Sequence, residues 1–221
     1  MNTIVDKKIA QEVAKQLLKI KAVSINTKKP YRYVSGILAP IYTDNRLLIS
    51  HYPQWKVIIN KYIEVIESTF KPLPDVLSGT ATAAIPHAAV LSYKLHVPMV
   101  YVRTSKKEHG KENLIEGEFK EGSKVLIVED LISTGKSIGG NVNAIREAGG
   151  KVTHCLAITT STVSAFVENV QSLHITLLTL TNIETIIQTA ASEKYISKDQ
   201  EKVVQRFLSN PKEWGKEMGF E

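Results

Sequence analysis

The stretch 124–137, KVLIVEDLISTGKS, constrains this chain more than any other. An apolar run of β-formers at 124–128 meets two acids, Glu129 and Asp130. Leu131 and Ile132 follow, and then Ser133, Thr134, Gly135, Lys136 and Ser137 open a segment of helical periodicity. A buried strand feeding a helix is the repeating unit of a parallel sheet covered on both faces. Ligands of such sheets bind outside the carboxyl ends of the strands. A helix N-terminus built from small residues presents unpaired backbone N–H groups and the positive end of the helix dipole, which suits a phosphate dianion. Ser133, Thr134 and Ser137 add hydroxyl donors, and Gly135 lets the backbone come close. The two acids cannot serve that phosphate, because they would repel it. They suit the hydroxyls of a diol, or a metal held through water. Phosphate on one side and a diol on the other describe a ribose 5-phosphate.

Blander readings compete. A Ser/Thr/Gly turn before a helix is most often only an N-cap. The GKS ending also suggests a nucleotide-binding P-loop, but that motif needs glycine five positions before Gly135, where Asp130 stands. No G-x-G-x-x-G follows a strand, so a dinucleotide fold has no support. Idle carboxylates at the end of a buried strand are costly, and this favours a binding site over a bare capping turn.

The rest of the chain fits around this unit. Residues 4–22 carry helical spacing through Ile9, Val13 and Leu17, and 54–70 do so through Val57, Tyr62, Val65 and Ile66. Between them, Pro30, Gly36 and Pro40 punctuate β-prone runs at 31–34 and 41–43, which predicts a small hairpin. Pro72 and Pro74 mark a boundary between an N-terminal α+β hood, 1–74, and a core, 75–221. In the core, strands are predicted at 75–78, 99–103, 124–128, 152–159 and 174–180. Helices are predicted at 85–95, 136–148, 164–170 and 199–208, and 211–221 is read as a docked arm or a mobile end. The fold class is therefore α/β, a parallel sheet flanked by helices.

The 221 residues carry 43% hydrophobic residues, enough for a sizeable core. No apolar run is long enough to span a bilayer, the N-terminal residues are too charged for a signal peptide, and Cys155 is the single cysteine. A cytoplasmic protein is expected, with Cys155 a buried core thiol, no histidine pair at metal-ligand spacing, and Trp55 and Trp214 as packing residues. A net charge of +6 permits a nucleic acid or a polyanionic small molecule as partner. Lys106, Lys107, His109 and Lys111 gather in one short polar stretch.

The segment VLIVEDLISTGKS resembles the phosphoribosyl pyrophosphate (PRPP) signature of type I phosphoribosyltransferases, most closely the orotate-using family. SGILAPIYTDNR (35–46), GTATAAIPHA (79–88) and YVRTSKKEHGKENLIEG (101–117) extend the likeness over nearly the whole chain. The resemblance implies a type I phosphoribosyltransferase-like sheet whose hood contributes to a base pocket. It implies transfer of the phosphoribosyl group from PRPP to orotate. Glu129 and Asp130 would bind the ribose hydroxyls. Leu131, Ile132 and Ser133 to Ser137 would wrap the 5-phosphate, with Ser133 also near orotate. Arg103, Lys107 and His109 would bind pyrophosphate, and with Asp130 they are the catalytic candidates. Residues 79–84 would form the pyrophosphate loop. Arg46 is the candidate for the orotate carboxylate, since a planar fork suits bidentate binding; a surface pair with Asp44 is the competing reading. Mg²⁺ carried mainly by the substrate is implied, as is a homodimer whose mobile loop reaches the neighbouring site. His87, just past the pyrophosphate loop, has an outside chance of approaching the ligand.

The chain departs from the family's best-known pattern at three places. Thr104 follows Arg103 where Lys is usual, Ala83 replaces a loop Lys, and Ser161 stands near the place of a substrate-binding Arg. An RNA-binding regulator of the same fold, or a phosphoribosyltransferase for another base, is the alternative. The absence of an aromatic RNA-stacking motif weighs against the regulator and for an enzyme that works without nucleic acid or membrane.

Overall fold

A computed structural model describes residues 2–33, 35–103, 114–133, 135–160 and 171–220. Its centre is a seven-stranded sheet in the order β1 (Asn2–Ile4), β11 (Thr176–Asn182), β10 (Lys151–Thr160), β9 (Lys124–Ile132), β6 (Val76–Thr80), β7 (Met99–Val102), β8 (Ile115–Glu116). Every neighbouring pair is parallel except the edge pair β7 and β8. The central strands carry apolar runs, Val125–Val128 in β9 and Cys155–Ile158 in β10, because both their faces are covered.

One face packs against α1 (Lys7–Lys19), α2 (Tyr52–Thr69), α3 (Ile85–Leu95) and the helix Ile183–Ser192. The other face, with Ile127, Cys155 and Leu177, packs against α4 (Lys136–Glu147) through Ile138, Val142 and Ile145. Asp6 caps α1 by accepting from the N–H groups of Lys8 and Ile9, and Pro86 sits in the first turn of α3, where a missing N–H costs little.

Residues 23–43 form two small antiparallel pairs, β2 (Val23–Ile25) with β5 (Ile41–Thr43) and β3 (Tyr31–Arg32) with β4 (Leu38–Ala39). The single hairpin expected there is thus split in two. Pro30, Gly36 and Pro40 break the ladder too often for one continuous ribbon. A 3₁₀ turn, Asn45–Ser50, leads from them into α2.

Three further differences have physical reasons, and of the two readings of 211–221 the docked one holds. β9 runs on through both acids to Ile132, because β10 keeps pairing with it as far as Thr160↔Ile132. β1 is short, and its pairing with the exposed edge of β11 gives it its place. The helix Ile183–Ser192 lies where no element is predicted, although Ile183, Ile186, Ile187 and Ala190 have amphipathic spacing. The segment after residue 210 is docked: Trp214 is fully buried between Phe207 and Phe220. The helix predicted at 164–170 lies outside the described residues. No helix among the described residues is long and apolar enough to cross a membrane.

Candidate active site

The carboxyl end of β9 projects Glu129 and Asp130 at the centre of the sheet. Their residues are only 3% and 8% exposed, so desolvation raises both carboxyls above their ordinary range. For Glu129 the neighbouring Asp130 charge adds to the rise. For Asp130 the bonds to Glu129 and to backbone N–H groups, and the charge of Arg46, pull the other way. Glu129 accepts from the Asp130 N–H at 3.0 Å and from the Ser137 hydroxyl at 3.4 Å. The two acids thus form a close, poorly solvated pair with no lysine or arginine salt bridge among the described residues. Such a pair is stabilised by a ligand that donates two hydrogen bonds, as a vicinal diol does.

Gly135 opens α4 at φ 78°, a left-handed conformation that glycine adopts without strain. No side chain among the described residues caps this helix. The unpaired first-turn N–H groups of such a helix suit an anion. Ser137 is exposed in that first turn, and Ser133 is exposed just before it. Ile132 turns its side chain into the core and Leu131 is half-buried, so Ile132 offers the site backbone alone. Thr134 and the Lys136 side chain lie outside what is described.

The loop at 81–84 leaves the end of β6 next to this strand. The Ala84 N–H closes it onto the Thr80 carbonyl at 3.1 Å, and the Ala81 N–H holds the Val102 carbonyl of β7 at 3.2 Å. The peptide Ala81–Thr82 is cis. Gly79 lets α3 lie directly on β6, because a Cβ there would sit 3.1 Å from the Ala88 Cβ. Arg103 stands at the end of β7, with its guanidinium 3.6 Å from Glu116 of β8. Lys107 and His109 lie outside the described residues, as does Ser161.

Arg46 holds Asp44 through a fork, Nε to Oδ1 at 2.7 Å and Nη2 to Oδ2 at 2.9 Å, and its side chain is 65% exposed. That pair lowers the Asp44 carboxyl and raises the guanidinium, while the Arg46 charge still reaches Asp130. His87 is buried, accepts from the Trp55 indole N–H at 2.8 Å, and is depressed by burial to about 4, so it is neutral. Its Nε2 has no partner among the described residues. Cys155 is buried, and its thiol is raised by desolvation.

Asn141, Ser78, Asn45 and Thr159, which the sequence reading gave no role, lie around the acids. Asn141 of α4 accepts from the Ser78 hydroxyl at 2.8 Å and donates to Thr80 at 2.9 Å, and Thr80 donates to the Val128 carbonyl at 3.4 Å. Asn45 donates to the Asp130 carbonyl at 2.8 Å and to Thr159 at 3.3 Å. A polar residue inside an apolar stripe (Ile138, Asn141, Val142, Ile145) was the available signal for Asn141. Nothing local marked Asn45.

A central strand ending in paired acids, next to a glycine turn and the N-terminal end of the α4 dipole, has the chemistry that a phosphorylated sugar would need. Residues 49–194 match the phosphoribosyl transferase domain family. The chain is 44% identical to an orotate phosphoribosyltransferase of Coxiella burnetii over 205 residues, 93% of this chain and 98% of the relative. Among solved structures, a Leishmania donovani UMP synthase is similar with a TM-score of 0.78 and 26% identity over 92% of this chain; the chain spans 43% of that larger protein. An orotate phosphoribosyltransferase from Aeropyrum pernix follows with a TM-score of 0.69 and 26% identity, over 81% of this chain and 99% of the other. The chain belongs to the phosphoribosyl transferase family, and within it to the orotate phosphoribosyltransferases. The RNA-binding alternative finds no support in these relatives.

Proposed function

We infer that the protein transfers the 5-phosphoribosyl group of PRPP to N1 of orotate, giving orotidine 5′-phosphate and pyrophosphate, a step of pyrimidine biosynthesis. The observation that carries this is likeness to orotate phosphoribosyltransferases over nearly the full length of both chains. The acid pair of β9 and the open α4 N-terminus supply matching chemistry. Glu129 and Asp130 accept from the two ribose hydroxyls, and the N–H groups after Gly135 receive the 5-phosphate together with the Ser133, Thr134 and Ser137 hydroxyls. Residues 79–84 and Arg103 face the pyrophosphate, joined by Lys107 and His109. Orotate N1 attacks C1 of the ribose as the bond to pyrophosphate breaks, its N1 proton passing to the departing pyrophosphate, and positive charge develops on the sugar ring. No protein nucleophile is required. The protein stabilises the negative charge that gathers on the leaving group and keeps water away. Arg46 and Ser133 are assigned to orotate; the exposed fork of Arg46 must exchange Asp44 for the orotate carboxylate.

Mg²⁺ fits this site as a passenger of PRPP. Among the described residues no cluster of three or more His, Cys, Asp or Glu side chains would cage a cation, whereas Mg²⁺ prefers substrate phosphates with one or two carboxylates. When bound it supplies charge neutralisation on the pyrophosphate. The reading further includes a cytoplasmic homodimer in which the segment joining β7 to β8 reaches the partner's site.

The test is pyrophosphate release from PRPP and Mg²⁺ with a panel of bases. Release with orotate and none with uracil, adenine or hypoxanthine is expected. Release with another base and none with orotate would overturn the assignment. Lys107→Ala is expected to lower turnover by a large factor with the fold unchanged, and an unimpaired rate would remove that residue from the machinery.

A further inference from the structure

β6 pairs with β9 from Val76↔Val125 to Gly79↔Val128, and the registered pairing stops there, one residue before the acids. Beyond that point β9 keeps β10 as its one strand neighbour, and the stretch that carries Glu129 and Asp130 is gripped in addition by two side chains from outside the sheet. The Tyr62 hydroxyl, from α2, donates to the backbone carbonyl of Glu129. The Asn45 amide, from the 3₁₀ turn, donates to the backbone carbonyl of Asp130 at 2.8 Å and to Thr159 of β10 at 3.3 Å. Consecutive carbonyls, one under each acid, are thus held by consecutive elements of the N-terminal segment. Both donors are buried: Tyr62 is fully enclosed and Asn45 is 1% exposed. Burial strengthens such bonds and makes their loss costly. The same α2 reaches the other loop of the site, where Trp55 donates to His87 in the first turn of α3 and the Tyr62 ring stacks on the His87 imidazole.

We propose that Asn45 and Tyr62 are positioning residues for the sugar, fixing the strand end so that the Glu129 and Asp130 carboxylates meet both ribose hydroxyls at once. The proposal rests on the reading of this site as a PRPP site. Two acids on one strand act together on a diol only if their backbone does not rotate or slide. β10 holds this stretch through Ala157↔Glu129 and Thr159↔Leu131, but with β6 no longer paired the sheet grips it from one side only. The side chains of Asn45 and Tyr62 bond β9 and β10 and not Arg46, the residue assigned to orotate, so the effect falls on PRPP and spares orotate.

The experiment compares wild type, Tyr62→Phe, Asn45→Ala and Val65→Ala. Val65 is a fully buried residue of the same helix that makes apolar contacts only, and it controls for lost stability. PRPP with Mg²⁺ is titrated calorimetrically without orotate, urea stability is recorded for each variant, and KM is then measured for each substrate. Losing one buried hydrogen bond is worth about a fivefold to tenfold change in affinity. Tyr62→Phe and Asn45→Ala are therefore expected to weaken PRPP by about that factor, with KM for orotate within about twofold. Val65→Ala should bind PRPP like wild type despite an equal or larger stability loss. Wild-type affinity in both Tyr62→Phe and Asn45→Ala, or equal weakening in Val65→Ala, would overturn the proposal. If wild type bound PRPP and consumed no orotate, the orotate reading would fail while the PRPP affinities still decided this proposal.

Discussion

Asn141 is the residue whose removal reads out the brace beneath the site most sharply. It is 1% exposed and carries a directional chain of hydrogen bonds, from the Ser78 hydroxyl to Oδ1 and from Nδ2 to Thr80, which in turn donates to the Val128 carbonyl. The chain ties α4 to β6 and β9, the elements that carry the Gly135 turn, the loop at 81–84 and the acids. In Asn141→Ala the fully buried Ser78 hydroxyl loses its acceptor, at about 1–3 kcal/mol for an unsatisfied buried group. The bond to Thr80 is lost at about 1 kcal/mol, and the void left by the side chain costs about 1 kcal/mol more. The expected loss is about 3–5 kcal/mol, a large share of the roughly 5–15 kcal/mol that holds a domain together. Urea unfolding followed by circular dichroism measures it, in a cycle with Ser78→Ala and the double variant. The double variant should cost less than the two single changes added together, because removing both partners leaves no orphan between them. A loss under about 1 kcal/mol for Asn141→Ala, or strictly additive effects, would refute the reasoning.

Three other outcomes follow from the buried groups. His87 is held near 4 against an ordinary 6.5, so the unfolded chain binds the extra proton between those values. Relative to a His87→Gln variant, wild type should lose up to about 3 kcal/mol as pH falls from 6.5 to 4 in parallel urea titrations, and equal slopes would contradict the assignment. Glu129 is raised above its ordinary 4.5, so the folded, ligand-free protein holds its proton more tightly and loses stability as pH rises from 4.5 through the raised value. Glu129→Gln should therefore gain on wild type in urea midpoints as pH rises above 4.5, while binding PRPP more weakly. The fully buried Cys155 thiol should resist an aromatic disulfide reagent in the native protein and react stoichiometrically in denaturant.

Much of this site was legible in local sequence. An apolar run, two acids and a glycine turn are contiguous, and contiguity is what local physics reads: β9, the turn at Gly135 and α4 all form where periodicity and glycine place them. The hood side chains were not legible, because Asn45 and Tyr62 meet β9 across 85 and 67 residues of chain, and no local spacing records such a contact. The extension of β9 through its acids depended likewise on a partner, β10, rather than on the hydrophobicity of the residues extended. The edge strands β1 and β8 are three and two residues long and have no periodicity to read.

The most direct test of the central claim is the stoichiometry of a single reaction. Purified protein is mixed with PRPP, Mg²⁺ and orotate, the fall in orotate absorbance is followed, and orotidine 5′-phosphate and pyrophosphate are quantified. One of each product per orotate lost, with no loss when PRPP is omitted, is the expected result. Firm PRPP binding with no orotidine 5′-phosphate formed would contradict it.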